Sequence, residues 1–375
     1  MDRLGIYIHI PFCIRKCYYC DFCSYPDRDS SVMREYTDEL CRRMRTFALQ
    51  KAENKLIDTV YFGGGTPTLL PIDCFESLMK TLFESFKVAP DAEITVECNP
   101  ASIDKDGLRK LRSLGINRIS IGLQSADDKE LAALGRLHSF EDFRRIFFDA
   151  REAGFDNLSV DLMYGIPEQT VESFKNTLYK LCELSPEHIS AYGLKIEDGT
   201  IFWARKNCLK LPNEDEEYDM YSACEEILRG NGYERYEISN FSKPDRQSRH
   251  NLRYWHLEDY IGFGVAAHSC FEGERFGNSR DIKAFLAGED ITEERNTIAE
   301  NERISEYVML GLRLGEGISE SEYLHRTGRA FRSDFPMTDT YIKAGFFSER
   351  DGRIAFSTKG FFVSNSILSE MLSFE

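Results

Sequence analysis

The chain has 375 residues, 42% hydrophobic, 13% aromatic and 29% charged, which is globular composition and excludes a disordered or fibrous protein. Lys and Arg total 47 against 63 Asp and Glu, a formal charge of -16, so the surface as a whole repels phosphate backbones and nucleic acid is not an expected partner. Eleven cysteines cannot all pair, and four of them crowd together as Cys13, Cys17, Cys20 and Cys23, a pattern of one thiol-rich site rather than a secreted disulfide scaffold.

At the N-terminus the apolar run Ile6-Tyr7-Ile8 is cut by His9 and Pro11, so no secretory signal is read there. No stretch approaches the ~20 apolar residues of a membrane helix, and the expectation is a soluble, cytoplasmic protein; a peripheral membrane contact stays compatible with the pattern. Six short β-rich runs follow in chain order: 5–10, 59–62, 93–98, 118–123, 157–163 and 188–194. Between them, apolar residues recur every three or four positions. Val32, Tyr36, Leu40, Met44 and Phe47 form one such stripe; Phe75, Leu78, Met79, Leu82, Phe83 and Phe86 form the next. Leu108 to Leu114, Phe143 to Ala150 and Phe174 to Leu181 supply three more, and Gly115 and Gly154 stand at helix ends.

Strands alternating with helices over about two hundred residues predict an α/β fold with a parallel sheet and right-handed crossovers. The polar residues His9, Gly63-Gly64-Gly65, Glu97, Gln124, Asp161 and Lys195 fall at successive strand ends, where a parallel barrel keeps its site. After residue 200 the rhythm changes. A helix is predicted from Pro212-Asn213-Glu214 to Leu228, then come His250-Asn251-Leu252-Arg253-Tyr254-Trp255 and the Gly-rich 261–269. The final segment reads as helices around a hairpin at 346–356, a winged-helix-like order. The expected division is 1–205 (partial barrel), 206–300 (linker and motif region) and 301–375 (winged-helix-like module).

Cys13-Ile14-Arg15-Lys16-Cys17-Tyr18-Tyr19-Cys20 is C-x3-C-x2-C on the loop after the first strand. Three thiolates hold an iron–sulfur cluster and leave one iron open; a closed zinc site with Cys23 or His9 as fourth ligand is the alternative. Gly63-Gly64-Gly65-Thr66-Pro67 after the second strand lets backbone approach a ligand, although by itself it is a plain turn.

This combination resembles the radical S-adenosylmethionine (SAM) superfamily. The resemblance implies a partial (β/α)6 TIM-like barrel and a [4Fe-4S] cluster on Cys13, Cys17 and Cys20. It also implies SAM bound by Tyr7, Tyr19, Gly64, Gly65, Thr66, Glu97, Gln124, Arg136 and Asp161, and an electron donor for the cluster. Ile8-His9-Ile10-Pro11-Phe12-Cys13, Gly135-Arg136-Leu137-His138, Asp161 to Pro167 and Tyr236 to Phe241 narrow it to the oxygen-independent coproporphyrinogen III oxidases and the related HemW-type haem chaperones. The oxidases carry a further cysteine two residues after the third, where this chain has Phe22, and a long extension where only twelve residues precede Cys13. Cys23 fits neither pattern. The segment 250–255 resembles the H-N-x-x-Y-W motif of the chaperones, which implies haem binding at His250, Asn251, Tyr254 and Trp255. Imidazole suits haem iron, the aromatic rings suit a porphyrin face, and Arg249 and Arg253 suit propionates. Packed aromatics with a satisfied histidine are the plainer reading of those residues alone; His256 and His268 are further candidates of the same kind. The expected function is haem delivery to acceptor proteins. The alternatives are the oxidase activity in porphyrin biosynthesis or a radical-SAM enzyme with another substrate.

Overall fold

A computed structural model describes residues 1–26 and 29–372. Six strands lie parallel: β1 (Asp2–Ile10), β2 (Lys55–Gly64), β3 (Lys87–Cys98), β4 (Arg118–Gln124), β5 (Leu158–Tyr164) and β6 (His188–Gly193). They neighbour one another in chain order, 1-2-3-4-5-6. A doubly wound sheet reverses its order at a switch point; an unreversed order curls one way, as barrel strands do.

Amphipathic helices cover the outside: α1 (Ser30–Lys51), α2 (Ile72–Ser85), α3 (Lys105–Ser113), α4 (Asp128–Ala133), α5 (Phe140–Glu152) and α6 (Val171–Leu184). All but α4, where no stripe was read in the sequence, bury most of the stripe read there. In α2 these are Phe75, Leu78, Met79 and Leu82, whereas Phe83 stays exposed on the outer face. Capping boxes start α5 (Ser139 with Asp142) and α6 (Thr170 with Ser173), each satisfying backbone N–H groups that the helix itself leaves unpaired. Residues Leu4, Ile6, Ile8 and Ile10 of β1 and Ile57, Val60 and Phe62 of β2 are fully buried in the layer between sheet and helices.

The short α7 (Ile201–Arg205) is followed by α8 (Glu214–Gly230), the helix predicted from Pro212-Asn213-Glu214 to Leu228, and the structure shows it capped by Asn213 with Glu216. Residues 206–300 add further strands to the same sheet. β7 (Glu234–Arg235) and β8 (Asn240–Ser242) extend it antiparallel beside β6. After α9 (Arg249–Trp255), β9 (Tyr260–Phe263) runs parallel to β1. Then β10 (His268–Phe271), β11 (Glu274–Asn278) and, past α10 (Ile282–Leu286), β12 (Thr292–Thr297) extend that edge antiparallel.

The C-terminal part has its own core around Val308, Tyr323, Phe331, Phe347, Ile354 and Leu368. It comprises α11 (Glu300–Gly311), β13 (Ile318–Ser319), α12 (Glu320–Thr327), α13 (Phe331–Asp334), α14 (Thr338–Lys343), the hairpin β14 (Phe347–Arg350) and β15 (Arg353–Phe356), α15 (Thr358–Phe362) and α16 (Ser364–Leu372). The hairpin turns at Asp351-Gly352, both with positive φ, as the sequence predicts.

Candidate cofactor site in the barrel mouth

The cysteine loop leaves β1 and is tied down at both ends. Cys13 N–H donates to Tyr25 O (3.0 Å), and Tyr25 N–H donates to Pro11 O (2.6 Å). At the far end Tyr18 N–H donates to Leu134 O (3.1 Å), and Arg15 donates to Gly135 O (2.6 Å). The Gly-rich loop after β2 lies directly against it. Gly65 N–H reaches Ile10 O and Thr66 N–H reaches Phe12 O, both at 2.8 Å. A Cβ on Gly65 would stand 2.7 Å from Phe12 O and 3.1 Å from Cys13 Sγ, so only glycine permits this approach.

These loops border a cavity of about 380 Å³ at the C-terminal ends of the strands. Cys13, Cys17 and Cys20 line it, together with the predicted Tyr19, Gly64, Gly65, Thr66, Glu97, Gln124, Arg136 and Asp161. Phe22 lines the mouth and is 63% exposed. Tyr7 is not on the wall: its ring stacks against Tyr61 and its hydroxyl lies 3.0 Å from His9 Nδ1.

Nor does Cys23 line the cavity. Its thiol turns into the core toward the Tyr25 hydroxyl (3.6 Å), and His9 Nε2 donates to its carbonyl at 2.8 Å. Both candidates for a fourth zinc ligand are thus engaged elsewhere. Among the described residues no three His, Cys, Asp or Glu side chains form a single-ion site. Three thiols around one cavity wall, with an open side facing Glu97 and the glycines, fit a cluster in which each thiolate meets a different iron. Burial pushes the Cys13 thiol up and the Cys20 thiol up to about 11, so loading a cluster releases protons. Arg136 donates to Cys17 Sγ (3.6 Å) and to Gly122 O (2.7 Å), joining the cysteine loop to β4.

Two carboxylates face the same space. Burial and then the charge of Asp161 push Glu97 up to about 7, against hydrogen bonds from the Tyr61 hydroxyl (3.0 Å) and Gly64 N–H (3.1 Å). Burial also raises Asp161, against the Ser190 and Ser120 hydroxyls and the charges of Arg118 and Arg136. Gln124, at the tip of β4, has φ +72 where the β4–β5 register shifts, a strained position that turns the strand end at the rim.

The 250–255 motif sits at the opposite end of the barrel. Helix α9 begins where the Glu93 carboxylate accepts from the N–H groups of Arg249 (3.1 Å) and His250 (3.0 Å). His250 is 1% exposed. Its Nδ1 lies 2.9 Å from Thr59 Oγ1, its Nε2 lies 2.8 Å from the Tyr254 hydroxyl, and it stacks on Tyr61 with ring centroids 5.3 Å apart. Burial, helped by Arg253, lowers it to about 3, so it is neutral. Asn251 alone of the motif lines the cavity, from below; Tyr254 packs edge-on against His250 and Tyr260, and Trp255 is half-buried off the wall. Arg253 does not face outward: α9 packs on β2, which aims its guanidinium at the buried Asp58 carboxylate. Arg249 instead reaches Asp91. His256 and His268 are exposed.

The inner wall also carries Arg118, Ser120, Ser159, His188, Ser190 and Tyr192, which the sequence reading did not single out. Their signal was alternation: Arg118, Ser120, Gly122 and Gln124 share one face of β4, and His188, Ser190 and Tyr192 one face of β6.

Comparison with known proteins agrees with this architecture. Residues 7–181 match the Radical SAM superfamily and residues 298–363 the HemN C-terminal domain. Heme chaperone HemW of Bacillus subtilis is 34% identical over 377 aligned positions, covering 98% of both chains. The chain belongs to the HemW heme-chaperone family. The HemW of Escherichia coli is 33% identical, covering 100% of this chain and 99% of that one. Among solved structures, the coproporphyrinogen III oxidase HemN of Escherichia coli, a radical SAM enzyme, superposes with a TM-score of 0.87 at 26% identity, over 99% of this chain and 91% of that one. Family membership thus carries a SAM- and cluster-dependent scaffold, and the HemN fold is shared across the whole chain. No helix among the described residues is long and apolar enough to cross a membrane.

Proposed function

We propose that this protein is a haem chaperone: it binds haem and passes it to haem-dependent acceptor proteins, among them respiratory ones, in the cytoplasm. The observation that carries the reading is the end-to-end likeness to HemW relatives; the HemN fold by itself is common to chaperone and oxidase. Phe22, exposed at the cavity mouth where the oxidases keep a further cysteine, favours the chaperone over the oxidase.

Cys13, Cys17 and Cys20 hold the [4Fe-4S] cluster, with the core-facing Cys23 outside the ligand set. Such a cluster offers one open iron to SAM and one electron toward its cleavage, supplied by a protein or small-molecule donor. The chain's own residues do the positioning. Gly64, Gly65 and Thr66 bring backbone to the ligand, and Glu97 and Asp161 offer acceptors to ammonium and hydroxyl groups. Tyr19, Gln124 and Arg136 close the sides, with Tyr7 bracing the wall from behind through Tyr61 and His9. Haem is assigned to the α9 segment, His250, Asn251, Tyr254 and Trp255. Axial ligation by His250 requires its Nε2 to exchange the Tyr254 hydroxyl for iron. The three segments 1–205, 206–300 and 301–375 then correspond to the barrel, the motif-bearing extension and the winged-helix-like module.

The test is a haem titration of the anaerobically purified, cluster-loaded protein beside an oxidase assay on the same sample. A saturable Soret shift with no protoporphyrinogen formed is expected. Turnover of coproporphyrinogen III, or no Soret change, overturns the reading.

A further inference from the structure

Arg118 opens β4 and points into the barrel, where it lines the floor of the cavity. It is 2% exposed, and its Nε has no hydrogen-bond partner. Among the described residues no carboxylate lies within 4.0 Å of its guanidinium, whereas the buried Arg253 of α9 is paired with Asp58 and Glu258. Guanidinium does not lose its proton in proteins, so Arg118 is a buried cation without a contacting counter-ion. Its surroundings do not neutralise it. His188 and His250 are both depressed by burial and by the Arg118 charge, and are neutral. Asp161 feels that charge from a distance, with both carboxylate oxygens already accepting from Ser120 at 3.1 and 3.2 Å.

A fixed, desolvated guanidinium facing a cavity is a preorganised receptor for a planar anion, and a carboxylate matches its fork. The strand register sets its depth. Gly122 is level with Asp161, and Arg118 lies four residues earlier on β4, on the same inward face. Asn251 borders the same floor from α9. We propose that Arg118 anchors the alkyl carboxylate of a ligand that enters from the mouth and extends past the Glu97–Asp161 level to the barrel floor. This rests on the reading that the protein binds haem, whose propionates bear that group; the methionyl carboxylate of SAM belongs with the open iron of the cluster at the mouth, well above Arg118.

The experiment measures equilibrium binding to the cluster-loaded full chain, wild type beside Arg118→Gln and Arg118→Lys. The four ligands are SAM, decarboxylated SAM, haem and haem dimethyl ester. Arg118→Gln is expected to weaken haem by about tenfold or more and to leave haem dimethyl ester unchanged, with Arg118→Lys in between and with SAM and decarboxylated SAM each bound as in wild type. A difference confined to the haem pair upholds the proposal, and a difference confined to the SAM pair overturns it. Equal affinities for wild type and Arg118→Gln, or equal losses for a ligand and its carboxylate-free counterpart, overturn the proposal. If the variants do not fold, a ligand-bound wild-type structure decides: a carboxylate oxygen on the guanidinium upholds it, and a bound ligand that leaves Arg118 untouched overturns it. Wild type that binds SAM and haem with Arg118 indifferent defeats this inference alone; wild type that binds neither defeats the functional reading with it.

Discussion

Glu97 illustrates how a buried cavity carboxylate, proposed to bind SAM, works against the stability of its own fold. Its carboxyl is raised to about 7, above the usual carboxylate range near 4.3, so the folded chain binds a proton more tightly than the unfolded chain. Stability contributed at this site is therefore present at low pH and lost as the pH rises from about 4 to about 7. Glu97→Gln is expected to raise the melting temperature of the cluster-free protein at pH 8 by a few degrees, with the gain vanishing near pH 4; differential scanning calorimetry across that range checks it. Binding of cationic SAM runs the other way. Affinity should fall as the pH drops from 8 to 6 in wild type and stay flat in Glu97→Gln. His250 presents the converse case. Both its ring nitrogens are engaged in the interior, so His250→Ala leaves the buried Thr59 and Tyr254 hydroxyls short of a partner. A loss of about 2–4 kcal/mol in denaturant unfolding is expected in the absence of haem. Tyr254→Phe removes one hydrogen bond and should cost about 1–2 kcal/mol while freeing Nε2.

Among the elements, the two loops over the mouth act as one unit, because their backbones bond each other at Ile10–Gly65 and Phe12–Thr66. Gly65→Ala places a methyl against Phe12 O and Cys13 Sγ and must push the cysteine loop outward. Iron and sulfide content after anaerobic reconstitution should fall well below that of wild type, with the melting curve of the cluster-free protein lowered by much less. Gly135 is a second such contact: with φ +77 it meets the Tyr18 ring, where a Cβ would stand 2.9 Å away. Helix α9 closes the other end. Its residues taken alone read in sequence as packed aromatics with a satisfied histidine, and by resemblance as a haem-binding motif. In the fold Glu93 caps its first turn and Asp58 holds its Arg253, so the helix serves as the barrel's floor.

On the scale of the whole molecule, the C-terminal module docks on α8 and the β7–β8 edge. Phe362 packs against Tyr218 and Tyr221, and Leu314 forms a β-bridge with Glu237. Arg235 is the pin: it lies over the rings of Tyr221 (4.6 Å), Phe241 (5.1 Å) and Phe361 (5.1 Å), which belong to α8, β8 and α15. It also sits 3.0 Å from Glu225. Arg235→Ala should destabilise the protein by about 2–4 kcal/mol and loosen the module first, seen as faster amide exchange in 300–372 than in the barrel.

Much of this architecture was legible in the sequence. The six strand runs, the helix stripes between them, the helix start at 212–214 and the hairpin at 346–356 depend on local periodicity and turn chemistry, which the chain states directly. The gathering of Cys13, Cys17 and Cys20 on one cavity wall was equally local, since three thiols within eight residues reach one site wherever the loop lies. Three things needed the tertiary structure. Cys23 is as close in sequence to Cys20 as Cys20 is to Cys17, and only packing turned it into the core toward Tyr25. The burial of His250 and the pairing of Arg253 with Asp58 follow only from the seating of α9 on β2. Arg118 looked like the polar start of a strand; closure of the barrel buried it and left its Nε without a hydrogen-bond partner. Burial is a sum over distant segments, so local spacing set which residues form the elements, and the closed fold decided which side chains face the cavity.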